Sequence, residues 1–132
     1  MTGVVGLGGV FFHCTDPEAT ASWYRDVLGM PLNDHGGADF LHGDSAARFG
    51  SGARTIWAPF RADSGYFAPS DRPFMVNLMV DDLAAVLARL AERGVALAGD
   101  PEEYDYGRFA WVMDPNGVKV ELWQPPAGDV AG

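Results

Sequence analysis

Short apolar stretches with period-two alternation mark strands along this chain, and the two clearest each run straight into a helix-start signal. Val10-Phe11-Phe12-His13-Cys14 leads into Asp16-Pro17-Glu18, an N-cap followed by a first-turn proline and an early acid. The helix predicted from it covers Pro17 to Leu28 and stops at Gly29. Phe74-Val76-Leu78-Val80 leads into Asp81-Asp82, with a helix from Leu83 to Arg93 that ends at Gly94. The two halves also close alike, Thr55-Ile56-Trp57-Ala58-Pro59 aligning with Glu121-Leu122-Trp123-Gln124-Pro125. Between helix and last strand, the first half offers strands at Met30–Asn33, Phe40–Leu41 and Ala47–Phe49, broken by Gly36-Gly37 and Gly43-Asp44. The second offers Val95–Ala98 and Arg108–Met113, then the tight-turn run Asp114-Pro115-Asn116-Gly117 before Val118–Gln124. A βαβββ plan thus occurs twice, at 8–60 and 73–125, joined by a linker at 61–72 within a single α+β domain over 1–132. The competing arrangement is one α+β sheet with a fortuitous internal echo.

Alternation also sorts side chains by face, because neighbours along a strand point opposite ways. Val118, Val120 and Leu122 form an apolar set suited to a helix, opposed by Lys119, Glu121 and Trp123. Phe74, Val76, Leu78 and Val80 are opposed by Met75, Asn77 and Met79. Val10, Phe12 and Cys14 are opposed by Gly9, Phe11 and His13; Ile56 and Ala58 by Thr55 and Trp57. The second sets mix aromatic and flexible apolar residues with a few polar groups, the make-up of a small-molecule pocket wall. A solvent-facing sheet carries more charge, and a dry core does not hold Glu, Lys, His and Asn together. The alternative is a half-wet face covered by a partner chain.

Composition narrows the partners. With 132 residues, 48% of them hydrophobic and 20% charged, the chain suits one folded domain. A net charge of −9 repels phosphate backbones and anionic lipid, which argues against nucleic-acid and membrane partners. The single cysteine, Cys14, allows no intrachain disulfide. The first residues lack a basic run before an apolar stretch, so a cytoplasmic location is expected.

Taken in order, Cys14-Thr15-Asp16-Pro17, Trp23-Tyr24, Leu28-Gly29, Val80-Asp81-Asp82-Leu83 and Asp114-Pro115-Asn116-Gly117 followed by Glu121-Leu122 resemble the vicinal-oxygen-chelate superfamily. That superfamily comprises glyoxalase, bleomycin-resistance and extradiol-dioxygenase proteins, and the resemblance runs from about Gly8 to Pro125. It implies two modules paired into one half-open mixed-sheet barrel with helices outside, and a homodimer. It also implies a divalent-metal site built from four strand positions, which fall here on Gly9, Thr55, Met75 and Glu121. Of these, Glu121 alone is a competent ligand: glycine has no side chain, a thioether is too soft, and a threonine hydroxyl is a poor neutral donor. No metal cofactor is therefore expected. A displaced site using His13 and Glu121 with His35 or His42 is the alternative, with His13 roughly 13 Å further along the strand than Gly9.

The candidate chemistry follows. His13 and Glu121 are the candidate acid–base groups, Glu121 either as a buried base or as the partner of Lys119 or Arg108. Phe11, Thr55, Trp57, Met75, Asn77, Arg108 and Trp123 are the candidate ligand contacts, with Tyr66-Phe67 of the linker and Phe60 adding to an aromatic-lined entrance, and Trp111 reading as plain core. Trp23-Tyr24 reads as helix packing, and Cys14 as a buried, inert thiol. Two functions stay open. One is a sequestration or resistance-type binder of a small organic ligand; the other is a lyase, isomerase or dioxygenase-like enzyme acting on a small carbonyl or aromatic substrate.

Overall fold

A computed structural model describes residues 2–126; Met1 and residues 127–132, which the single-domain expectation included, lie outside the described residues. Helix α1 covers Pro17–Leu28, α2 His42–Phe49 and α3 Leu83–Glu92; strands are β1 Val76–Met79, β2 Glu102–Tyr104, β3 Gly107–Met113 and β4 Lys119–Gln124. The helix starts are those the caps encode. The Asp16 carboxylate accepts from the Ala19 N–H at 3.0 Å, and Asp82 does the same for Ala85 at 3.1 Å. Gly29 takes the left-handed conformation (φ 74°) and its N–H closes α1 onto the Arg25 carbonyl.

The sheet is mixed and open, in the order β1-β4-β3-β2. β1 runs parallel to β4, with α3, β2 and β3 between them in the chain, while β4, β3 and β2 are antiparallel neighbours. One face is apolar: Ala110, Val112, Val120 and Leu122 pack against Leu83, Val86 and Leu90 of α3 and Tyr24, Val27 and Leu28 of α1. Val112, Val120 and Leu122 are fully buried there. The Gln124 side chain accepts from the Leu83 N–H at 2.9 Å, tying the end of β4 to the start of α3.

Helix α1 is locked to this second-half sheet through the Asp114-Pro115-Asn116-Gly117 turn. The Tyr24 hydroxyl donates to Asp114 at 2.6 Å, and the other Asp114 oxygen accepts from the N–H groups of Asn116 (2.8 Å) and Val118 (2.9 Å). Asn116 in turn donates to Thr20 at 3.0 Å. Burial and the adjacent carboxylate push the Tyr24 hydroxyl far above its ordinary value, so it stays a donor. Trp23-Tyr24 is packing, as its helical spacing suggests, with a polar anchor added.

The first half departs from the predicted strand plan. Gly9–Cys14 and Thr55–Pro59 form no strand, and among the described residues the pairing in 8–60 is a single bridge between Leu32 and Ala38. Their alternation fits a strand, yet a strand orders only against a neighbour's backbone, and no sheet edge reaches them. Ala47–Phe49, read as strand, belongs to α2 instead: Asp44 lies in its first turn, Arg48 in its last, and Phe49 is its buried residue. Val95–Ala98 is irregular, tied to β3 by the Ala98 N–H on the Trp111 carbonyl at 2.7 Å, and the short edge strand Glu102–Tyr104 takes its place in the sheet. Cys14, expected against a helix, is half-buried in the irregular N-terminal stretch.

Candidate functional site: a carboxylate beneath an aromatic strap

The second face of the sheet holds the polar chemistry. Pairing places Asn77 beside Glu121 across β1 and β4, and Trp111 beside Glu121 across β3 and β4. Glu121 is 7% exposed and both oxygens of its carboxylate accept hydrogen bonds. Oε1 accepts from Asn77 Nδ2 at 2.7 Å, and Oε2 accepts from Trp111 Nε1 at 2.8 Å and from the Tyr66 hydroxyl. Three donors meet one carboxylate without a cation among them. Such bonds to an ionised group are the strong kind, and they let a charge stay below the surface.

Beside this group stands an aromatic ladder. Phe109 stacks on Trp111 (6.4 Å, 15°) and on Trp123 (6.3 Å, 12°), with Met75, Met79 and Ala98 packed against the three. Trp123 is fixed by donating from Nε1 to the Tyr106 carbonyl at 2.8 Å. Gly107 makes room for it: at φ 132°, an added Cβ meets Trp123 Nε1 at 2.3 Å. Tyr104 and Tyr106 stack on each other (5.1 Å, 7°) at the rim.

Residues 61–72, expected as a linker whose Tyr66-Phe67 pair joins an aromatic entrance, lie as a strap over this face. Lys119 Nζ donates to the Tyr66 carbonyl at 2.7 Å and sits 5.2 Å and 5.6 Å from the Tyr66 and Trp111 ring centres. Ser70 Oγ donates to the Gly117 carbonyl at 2.5 Å, and Arg72 Nε to the Asn116 carbonyl at 3.0 Å. Burial, followed by the Glu121 carboxylate, raises the Tyr66 hydroxyl above its ordinary value and keeps it protonated.

The structure brings together Met75, Asn77, Glu121 and Trp123 of the sequence candidates. Among the described residues, the others make no side-chain hydrogen bond or ring contact with these four. Phe11 is 93% and Trp57 80% exposed, and His13 and Thr55 are exposed in the same irregular stretches. Arg108 falls on the other parity of β3 and pairs with Glu103 at 3.5 Å on the surface. Neither Lys119 nor Arg108 forms an ion pair with Glu121 among the described residues; Asn77, Trp111 and Tyr66 satisfy it instead. Trp111 both packs and donates, and strand parity shared with Glu121 was the signal for it. Tyr66 carries no periodic signal, since it sits on an irregular segment far from Glu121 in the chain.

The four positions that correspond to metal ligands do not fit a divalent ion. Gly9 and Thr55 are in the exposed first-half stretches, Met75 packs on the aromatic ladder, and the Glu121 oxygens are spent on three donors. Among the described residues, no three His, Cys, Asp or Glu side chains converge, so His35 and His42 do not join His13 and Glu121.

An open mixed sheet with helices on one face and a polar group on the other, built from these sequence signals, defines the class. The chain belongs to the Glyoxalase/Bleomycin resistance protein/Dioxygenase superfamily, whose signature matches residues 6–122. Among solved structures, the chain is similar to TnmS3, an antibiotic binding protein from Streptomyces sp. CB03234, at 32% identity over 84% of this chain and 88% of that one, with a TM-score of 0.49. A glyoxalase/dioxygenase from Nostoc punctiforme shares 17% identity over 96% and 99% of the two chains, with a TM-score of 0.52. A glyoxalase/bleomycin resistance protein from Streptomyces sp. CB03234 is 45% identical, but over 37% of this chain and 42% of that one, with a TM-score of 0.34. The chain therefore spans less than half the length of that last relative. No curated protein matches it. Among the described residues, no helix is long and apolar enough to cross a membrane.

Proposed function

We propose that the chain binds a small aromatic organic molecule on the Glu121 face, as a sequestering binder that works without a metal cofactor. One observation carries the reading: a buried carboxylate held by neutral donors lies directly beside stacked Trp and Phe rings. Stacking surface with one well-placed polar group is what recognition of a flat organic ligand needs. The enzymatic alternative requires a free acid–base pair. Glu121 has its oxygens committed and His13 lies in an exposed stretch, which favours binding over catalysis. We also take the working form to be a cytoplasmic homodimer; the support for pairing is the exposed apolar side chains of Phe11, Ile56 and Trp57, which a second copy would cover.

The test is calorimetric titration with a panel of small phenols, anisoles and aromatic carbonyl compounds, alongside metal analysis of the purified protein. Saturable binding of at least one arene class is expected, with well under about 0.5 equivalents of Fe, Mn, Zn or Ni. Near-full metal occupancy, or turnover of a carbonyl substrate that Glu121→Gln abolishes, overturns the metal-free binding reading.

A further inference from the structure

The strap is held unevenly. At one end Ser70 and Arg72 are bonded to the backbone of the Asn116-Gly117 turn, and in the middle Lys119 Nζ holds the Tyr66 carbonyl, a bond that must open when the strap turns, whereas at the other end Arg61 pairs with Asp63 and both are nearly fully exposed. Between them Tyr66 reaches down to the oxygen of Glu121 that Trp111 also uses. Its ring meets Trp111 edge-on at 6.4 Å, yet the residue stays 41% exposed. Tyr66 thus rests on the face without being sealed into a core, and what it presents to Glu121 is a neutral phenol.

We propose that Tyr66 is a built-in stand-in for the ligand, so that the site takes small hydroxyl-bearing aromatic molecules whose O–H replaces that of Tyr66 on Glu121 while the strap turns about its Ser70–Arg72 anchor. This rests on the binding reading above and names its ligand class. The reason is satisfaction of the carboxylate. Any occupant that displaces Tyr66 leaves Glu121 Oε2 short of one donor in a buried setting, which is costly unless the newcomer brings its own. An anionic ligand is disfavoured twice, by Glu121 beneath and by the net charge of −9 around it. The Lys119 ammonium, already over two rings, offers an aromatic newcomer the same cation–π contact. The raised Tyr66 value points the same way, since this environment keeps a phenol protonated.

The experiment compares 4-ethylphenol with 4-ethylanisole, the same ring and oxygen without the donor, by calorimetry on the full chain and on Tyr66→Phe. In the wild-type chain the phenol is expected to bind about tenfold more tightly, the worth of one hydrogen bond to a charged group. In Tyr66→Phe the internal competitor is gone for either ligand, so phenol and anisole affinities both rise, by about threefold or more, and the ratio between them is kept. Amide exchange over residues 62–69 of the wild-type chain is expected to quicken when the phenol is bound. Equal affinities for phenol and anisole, weaker phenol binding in Tyr66→Phe, or a strap protected further by the phenol each overturns the proposal while leaving arene binding intact. Failure to bind any arene removes the binding reading itself, and this proposal with it. If Tyr66→Phe does not fold, the wild-type affinity ratio and strap exchange decide.

Discussion

In residues 73–126 every strand has a neighbour: β4 lies between β1 and β3, and its inward side chains Val120 and Leu122 are fully buried under two helices. In residues 2–60 the corresponding stretch Thr55–Pro59 has none, and Ile56, the counterpart of Leu122, is 67% exposed. Helix α1 belongs to the first half as well, yet it is packed, because Tyr24, Val27 and Leu28 reach the second-half sheet. The difference therefore lies in access to the β3–β4 surface and not in local sequence. Alternation and caps set what a segment can become; burial against an existing face decides whether it does.

The sharpest break of that comparison is Leu122→Ala. The side chain has no exposed surface and sits between β1 and β3 under the helices, so its removal opens a cavity that rigid strands fill poorly. A loss of about 3 kcal/mol in urea denaturation is expected. A loss below about 1 kcal/mol means that the second-half core is looser than its packing implies.

Tyr24→Phe tests the joint between halves. It removes one donor from Asp114, leaving a buried carboxylate oxygen without its 2.6 Å bond, and is expected to cost about 2 kcal/mol. The pH profile carries a second signature. Because the folded-state value is raised above the ordinary 10.0, the unfolded chain releases the Tyr24 proton first as pH rises. The contribution is fully present below pH 10.0 and is lost progressively above it, so wild-type stability falls in alkali. Tyr24→Phe loses part of that slope, and an unchanged alkaline slope in the variant shows that Tyr24 is not shielded as described.

Much of this was written in the chain. Asp16-Pro17 and Gly29 fix α1, Asp82 fixes the start of α3, and Asp114-Pro115-Asn116-Gly117 fixes the turn before β4, since caps and turns act through neighbouring backbone groups. Parity put Glu121, Asn77, Met75 and Trp123 on one face because period two is a local property. Tyr66 over Glu121 was not legible, and nor was α2 or the unpaired state of Gly9–Cys14. Each depends on where distant segments come to rest, which periodicity does not encode.

The smallest effect is expected where the pattern most resembles the core. Ile56→Ala removes the residue that aligns with Leu122, but from a side chain already largely in water, so little buried area is lost. Single-chain stability at low protein concentration is expected to change by less than about 0.5 kcal/mol, against about 3 kcal/mol for its counterpart. A concentration series then sharpens the result. If a second copy covers this stretch, as proposed, the Ile56→Ala penalty grows with protein concentration, because association stabilises the folded chain by mass action and the truncation weakens association. A penalty of several kcal/mol that is independent of concentration breaks the comparison instead, because it places Ile56 inside the chain's own core and gives the two halves the same fate.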